Sequence, residues 1–332
     1  MNFEPFLKYP GGKSKEIPLV NRYKPDVINR YFEPFVGGAS IYLNLDVKNS
    51  FINDFSSDLY NFYFFVKTQN EKFHNILNQL DALWHEIENN KFDETLFERK
   101  KYLLYYEKAL KRKNSTLEKF EEQNILISDE DKKRTELTAR KTSVYMLVRD
   151  AYNKKQESVE HITAYFYFLR EYCYSSMFRF SKNGDFNVPY GGRSYDYKYM
   201  TKKINVFFSN DCGKYFENTH IYNLDFESFL NQFEFNENDF IFLDPPYDSN
   251  FSTYDNNVFD KKEQVRLRDV LTNVQAKWLM IIKRTDFIYD LYRDFHIFEY
   301  DKNYLVSFKN RNNKDVTHLL ITNYEIEDNN NG

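Results

Sequence analysis

Apolar and polar positions fall into three regimes along the chain. Up to about residue 66, short apolar runs alternate with turns. Ile28 to Phe35 (INRYFEPF) and Ser50 to Asn53 (SFIN) read as buried strands, Ser40 to Leu45 (SIYLNL) has helical spacing with Ser40 as its cap, and a further helix starts near Ser57. From about Glu71 to Gln156 the period is that of helices, clearest in FHNILNQLDALWHEI (73 to 87). There the mixed charge of 111 to 141 predicts a mobile, solvated stretch within an inserted helical module. From about Ile204 strand-like runs return: INVFFS (204 to 209), THIYNLDF (219 to 226), DFIFLD (239 to 244), KWLMIIK (277 to 283), FHIFEYD and HLLITNY. Helices are predicted at Lys261 to Val274 and Asp286 to Phe295. Strands alternating with helices predict an α/β protein whose mostly parallel sheet is covered on both faces.

Composition sharpens this picture by scarcity. The 332 residues include 28 Tyr and 33 Phe but only nine Gly and eight Pro, against average usage of roughly 7% and 5%. The surviving clusters, Gly11-Gly12, Gly37-Gly38, Gly184 with Gly191-Gly192, and Pro245-Pro246, therefore mark places where backbone geometry is demanded. With 42% hydrophobic and 29% charged residues the chain is neither disordered nor fibrous. No apolar run reaches the roughly 18 residues of a membrane span, and MNFEPFLKYPGGK lacks the order of a signal peptide, so a soluble, cytoplasmic protein is expected. Two cysteines and six scattered histidines give no disulfide framework and no metal-ligand spacing; no metal is expected. The net charge of −4 does not argue for nucleic acid. The segment 170 to 214, with eight Lys/Arg against four Asp/Glu, does so locally.

The strongest chemical signal is Asp244-Pro245-Pro246-Tyr247, directly after a buried-strand pattern. Open α/β sheets place ligands beyond the carboxyl ends of their strands. Proline cannot continue a central strand, so the chain leaves in a stiff shape that offers the Asp244 carboxylate and the Pro245 carbonyl as paired acceptors beside the Tyr247 ring. Such a receptor suits a flat group with an exocyclic NH2. Upstream, Phe35-Val36-Gly37-Gly38 follows a strand, and Asp54 ends the next one at a spacing suited to ribose hydroxyls. With no third glycine opening the helix, a nucleoside without phosphates fits better than a dinucleotide. Lys8 to Lys13 (KYPGGK) lacks the glycine spacing of a phosphate loop, which excludes a nucleoside triphosphatase.

LKYPGGK, YFEPFVGGASIYLN, INDFSSDLYNFY, FRFSKNGDFNVPYGG, DPPY and HLLITNY, in this order, resemble the Dam-type DNA adenine-N6 methyltransferases of the α group. The resemblance spans nearly the whole chain apart from the insertion. It implies a Rossmann-like S-adenosylmethionine-dependent methyltransferase sheet formed by 1–66 and 200–332. An inserted, mainly helical DNA-recognition region, 67–199, would carry a β-hairpin at 178–192. By position it implies catalysis at Asp244, Pro245, Pro246 and Tyr247. Cofactor contacts would come from Tyr9, Lys13, Phe35, Gly37, Gly38, Asp54, Asp225, Phe226 and Asp244, and DNA contacts from Tyr174, Met177, Arg179, Lys182, Asn187 and Pro189. Arg193, Lys198, Lys202 and Lys203 read as further phosphate contacts. Double-stranded DNA is the implied substrate, with a companion restriction endonuclease or solitary action, and monomer or weak dimer, left open. The chain departs from the family in having Ser175-Ser176-Met177 where Asn-Gly-Leu is common, a longer 110–160 region and a shorter gap from DPPY to Phe251-Ser252-Thr253-Tyr254.

Other classes fit less well. Serine in place of Asp244 would favour cytosine N4, and asparagine there would favour protein glutamine. An inert DNA-binding protein has no need of intact Asp244, Tyr247, Asp54 and Lys13.

Overall fold

A computed structural model of the chain describes residues 3–8, 12–177, 179–247, 253–254, 257–303 and 315–326. The chain divides into two compact units, one formed by 1–5, 11–60 and 217–332 and the other by 6–10 and 61–216.

The first unit is built on strands β1 (Arg30–Glu33), β2 (Ser50–Asn53), β3 (Thr219–Tyr222) and β4 (Asp239–Leu243), a two-stranded pair β5 (Thr253–Tyr254) and β6 (Asn257–Val258), and β7 (Lys277–Lys283), β8 (His296–Asn303) and β9 (Asp315–Thr322). Seven of them form one sheet in the order β3-β2-β1-β4-β7-β9-β8. The first five are parallel to one another, and β9 pairs antiparallel with both β7 and β8. Every residue of β4 is buried, which is why DFIFL shows no alternation: a central parallel strand is covered on both faces. On one face Phe32, Ile241, Leu243, Trp278 and Met280 pack with residues of α9 (Phe226–Leu230), α10 (Lys261–Thr272) and α11 (Asp286–Leu291). The intervening Tyr31, Phe240, Phe242, Leu279 and Ile281 are equally buried on the other. Arg30 and Asp239, cross-strand neighbours of β1 and β4, form a two-bond ion pair, Nε to Oδ1 at 2.9 Å and Nη2 to Oδ2 at 2.6 Å. The two strands that carry the site are thereby fixed in register.

The second unit is mostly helical: α3 (Glu71–Glu86), α4 (Arg99–Glu122), α5 (Asp129–Lys154), α6 (Val159–Tyr172), α7 (Thr201–Phe207) and α8 (Asn210–Phe216). The remaining helices are α1 (Ile17–Tyr23) and α2 (Ser57–Lys67). Much of the aromatic surplus fills this unit's core, where Trp84 meets Tyr172 at 4.2 Å and Phe168 at 5.3 Å between ring centroids.

Two expectations are corrected and a third, the solvated stretch of the helical module, is refined. INVFFS is not a strand but lies largely in α7: Ile204 and Phe207 are buried and Val206 is 39% exposed, a spacing of three. Two bonds from its start to Asp81, Met200 N–H at 2.7 Å and Thr201 Oγ1 at 2.5 Å, anchor the helix. The stretch 111 to 141 is helical on both sides of a short turn, continuing α4 and opening α5. Ser128 Oγ caps α5 by accepting the Asp131 N–H at 3.1 Å, and Asp129, Glu130 and Asp131 fill the first turn, where the helix dipole favours acids. SIYLNL makes only a 3-10 turn over Tyr42–Asn44, with no side-chain cap.

Candidate active site

Strand order reverses between β1 and β4, the position at which open α/β sheets form their ligand crevice. Gly37, Asp54, Asp225 and Asp244 all lie just beyond the carboxyl ends of β1, β2, β3 and β4, four adjacent parallel strands. The parallel sheet therefore gathers onto one edge residues that are far apart in sequence.

The glycine turn is held from β2. Gly37 N–H donates to Asp54 Oδ2 at 2.9 Å, and Ser56 N–H donates to Oδ1 at 2.9 Å. Gly37 has φ +47° and Ala39 φ +57°, so the chain turns through left-handed geometry at both. Asp54 thus organises the loop through both of its carboxylate oxygens. Phe35 lies 5.6 Å from Phe226 between ring centroids, and Gly38 is buried in the same turn.

Asp225 caps α9 by accepting the Glu227 N–H at 3.1 Å and pairs with Arg266 at 2.5 Å. The Arg266 guanidinium lies 4.4 Å from the Phe226 ring centroid, over a ring only 4% exposed. Arg266, which the sequence reading passed over, therefore covers the expected aromatic platform. A groove of about 920 Å³ between α9 and α10 is lined by Glu227, Phe233, Arg266 and Asp269 but not by Gly37, Asp54 or Asp244. The strand-end site is defined by its side-chain chemistry, not by that cavity.

At β4, Asp244 Oδ1 forms an ion pair with the ammonium of buried Lys13. Lys13 also approaches the Tyr247 hydroxyl at 3.4 Å and its ring centroid at 5.5 Å. That hydroxyl shares a hydrogen bond of 3.2 Å with His318 Nε2, a buried side chain on β9. Lys13, expected as a cofactor contact, thus sits on the Asp244 carboxylate itself. Tyr9 lies outside the described residues.

Glu33, at the end of β1, is also part of this cluster. Burial, with added repulsion from Asp244 and Asp54, pushes its carboxyl well above the usual range, although the Tyr31 hydroxyl at 2.6 Å and the Tyr42 backbone pull the other way. A glutamate closing a buried strand immediately before Pro34 was the available signal.

In the second unit, the 178–192 segment doubles back as expected of a hairpin. Phe180 bridges Phe186 and Cys173 bridges Tyr190 antiparallel, and Gly184, at φ +82°, closes the turn with its N–H on Ser181 O at 3.0 Å. Asn153 of α5 clamps Phe186, accepting its N–H at 2.9 Å and donating to its carbonyl at 3.1 Å, while Tyr145 donates to Val188 O at 2.9 Å. Exposed Arg179 donates its Nε to Asn187 Oδ1 at 2.8 Å; Lys182 and Pro189 are exposed too. Tyr174 N–H donates to Pro189 O at 2.9 Å. Between Tyr174 and Met177, Ser175 and Ser176 adopt φ +52° and +51°, a region that costs most side chains roughly 1–2 kcal/mol. Lys198 and Lys203, expected on phosphates, each pair with buried Glu171 at 2.7 Å, and Arg193 pairs with Asp131 at 3.3 Å. All three cations are thus paired within the second unit.

A parallel sheet with a DPPY turn at its switch point defines an amino-methyltransferase. The chain matches the D12 class N6 adenine-specific DNA methyltransferase family over residues 9–306 and belongs to it. It is 29% identical to the type II methyltransferase M.CviBI of Paramecium bursaria Chlorella virus NC1A, covering 97% of this chain and all of that one. It is 27% identical to the type II methyltransferase M1.LlaDCHI of Lactococcus lactis subsp. cremoris (98% and 96%), and 25% identical to the DNA adenine methylase of Vibrio cholerae (80% and 74%). No helix among the described residues is long and apolar enough to cross a membrane.

Proposed function

We propose that this adenine-N6 DNA methyltransferase uses S-adenosylmethionine and accepts the target amine at Asp244 and the Pro245 carbonyl. The observation that carries this reading is the Lys13 ammonium on Asp244: a nitrogen bearing N–H donors already occupies the acceptor. The adenine amine displaces it. Adenine N6 is a weak nucleophile because its lone pair is delocalised into the ring. Accepting both amino hydrogens favours a pyramidal nitrogen and stabilises the positive charge that develops on it. Tyr247, held through its hydroxyl by His318, stacks on the extruded base and offsets part of the unstacking cost of a few kcal/mol.

The donor set fits the cofactor. Asp54 offers acceptors for ribose hydroxyls, the Gly37–Gly38 turn and Phe35 line the methionine side, and Asp225 and Phe226 face adenine once Arg266 yields. When bound, S-adenosylmethionine supplies an electrophilic sulfonium methyl. In the second unit, the Asn187-oriented Arg179 reads guanine through its terminal fork, with Lys182, Asn187, Pro189, Met177 and Tyr174 beside it. The names of the type II relatives support a place beside a restriction endonuclease.

Tritium transfer from labelled S-adenosylmethionine to unmethylated plasmid DNA tests the reading. Wild type is expected to label adenine N6 and Asp244→Ala to leave only background, with DNA affinity retained. Transfer by the variant at near wild-type rate would overturn it.

A further inference from the structure

The face of α10 that packs on the sheet carries one residue out of character. Gln264, Leu267 and Leu271, spaced i, i+3 and i+7, form its buried stripe, and Gln264 is 0% exposed. An apolar residue is the usual occupant of such a position, because a buried amide costs free energy unless it is hydrogen-bonded. Among the described residues Gln264 makes one such bond, from Nε2 to the Pro246 carbonyl at 2.9 Å. The amide orientation follows from chemistry, since a carbonyl only accepts.

The location of that bond matters because of how the DPPY turn is constrained. Proline rings fix φ at both Pro245 and Pro246. Pro245, preceding a proline, is further confined to extended ψ. The remaining soft torsion between the Pro245 carbonyl and Tyr247 is ψ of Pro246, and it sets where the Pro246 carbonyl points. A donor fixed on that carbonyl fixes the torsion. Gln264 is such a donor, on a helix capped by Asp260, which accepts the Lys262 N–H at 2.8 Å and the Glu263 N–H at 3.2 Å, and anchored by Leu267 in the core.

We propose that Gln264 is a positioning residue for methyl transfer: it locks ψ of Pro246, the soft torsion between the Pro245 carbonyl and Tyr247, so that the Pro245 carbonyl and the Tyr247 ring hold the amine in its reactive orientation. The proposal rests on the reading of Asp244 and the Pro245 carbonyl as amine acceptors. Gln264 does not touch the base, so its loss should affect turnover and spare cofactor binding.

Gln264→Leu keeps the volume and removes the donor. Gln264→Glu donates only while its carboxyl is protonated. With tritiated S-adenosylmethionine and unmethylated plasmid DNA, Gln264→Leu is expected to lower kcat on the order of 10²-fold, the scale of a small misplacement at a reacting centre, with KM for the cofactor within about twofold. For Gln264→Glu, kcat relative to wild type should rise as pH falls, at unchanged KM for the cofactor. A Gln264→Leu enzyme with kcat within about twofold of wild type, or a Gln264→Glu enzyme whose relative kcat is flat with pH, overturns the proposal. If Gln264→Leu does not fold, the Gln264→Glu profile decides alone. Asp244→Ala, assayed alongside, separates the two readings: transfer by that variant removes the acceptor assignment itself.

Discussion

The strand ends of the first unit and the hairpin of the second position their functional side chains by different means. Gly37, Asp54, Asp225 and Asp244 follow within four residues on the ends of paired parallel strands, and the register of β1 against β4 is tied by the Arg30–Asp239 pair. Their placement is a property of backbone hydrogen bonding. Among its described residues the hairpin closes with a few backbone bonds, Asn187 N–H to Arg179 O at 3.1 Å and Ser181 N–H to Asp185 O at 2.7 Å, and is tethered by side chains reaching in from α5, with Asn153 on Phe186 and Tyr145 on Val188. The chemistry proposed for the strand ends tolerates little displacement and would sit on rigid ladders, whereas the recognition proposed for the hairpin would rest on a short segment tethered by side chains.

The largest expected effect lies at the strand ends. Asp244→Ala should reduce transfer on the order of 10³-fold or more, the scale of a removed charge-stabilising group, while the midpoint of thermal unfolding moves little. A large fall in that midpoint would mean that the turn is structural.

The hairpin should show the opposite balance. Asn153→Ala strips two bonds from Phe186 and is expected to destabilise by about 1–3 kcal/mol and to weaken DNA binding, leaving cofactor binding intact. Unchanged melting and unchanged DNA affinity together would remove the tether from the account.

Glu33 tests the rigid region through pH. Its carboxyl keeps its proton in the folded chain to a higher pH than the ordinary value of 4.5. Folding stability contributed there is consequently lost as pH rises above that value and towards the raised one. Glu33→Gln has no such dependence, so the melting temperature of wild type should fall relative to that of Glu33→Gln as pH rises above 4.5. Parallel melting curves across pH would show that Glu33 ionises normally.

The smallest effect belongs to the strained pair near the hairpin. Ser176→Gly removes a left-handed penalty at φ +51° and should stabilise by about 0.5–1 kcal/mol once the added freedom of the unfolded chain is subtracted. Loss of stability in denaturant titration would refute the strain. The family's common Asn-Gly at these two positions suits left-handed geometry better than Ser-Ser does.

Residues on local motifs were legible in advance: the DPPY turn, the glycine turn and Asp54 could be read because each follows directly on a strand pattern. What reaches them was not. Lys13 meets Asp244 across 231 residues, His318 meets Tyr247 across 71, and Asn153 meets Phe186 across 33. Gln264 lies on a helix rich in charged residues, and its place in the buried stripe is set by the packing.

By itself the sequence determined the strand periods, the order of the motifs and the stiffness of a turn with two adjacent prolines, since these depend on neighbours within a few residues. Tertiary structure decided that INVFFS coils into α7, that Lys198 and Lys203 pair with Glu171, and that Lys13 sits on the Asp244 carboxylate. A buried polar group takes its partner from whatever part of the chain the fold brings within about 3 Å, and sequence spacing does not record that proximity.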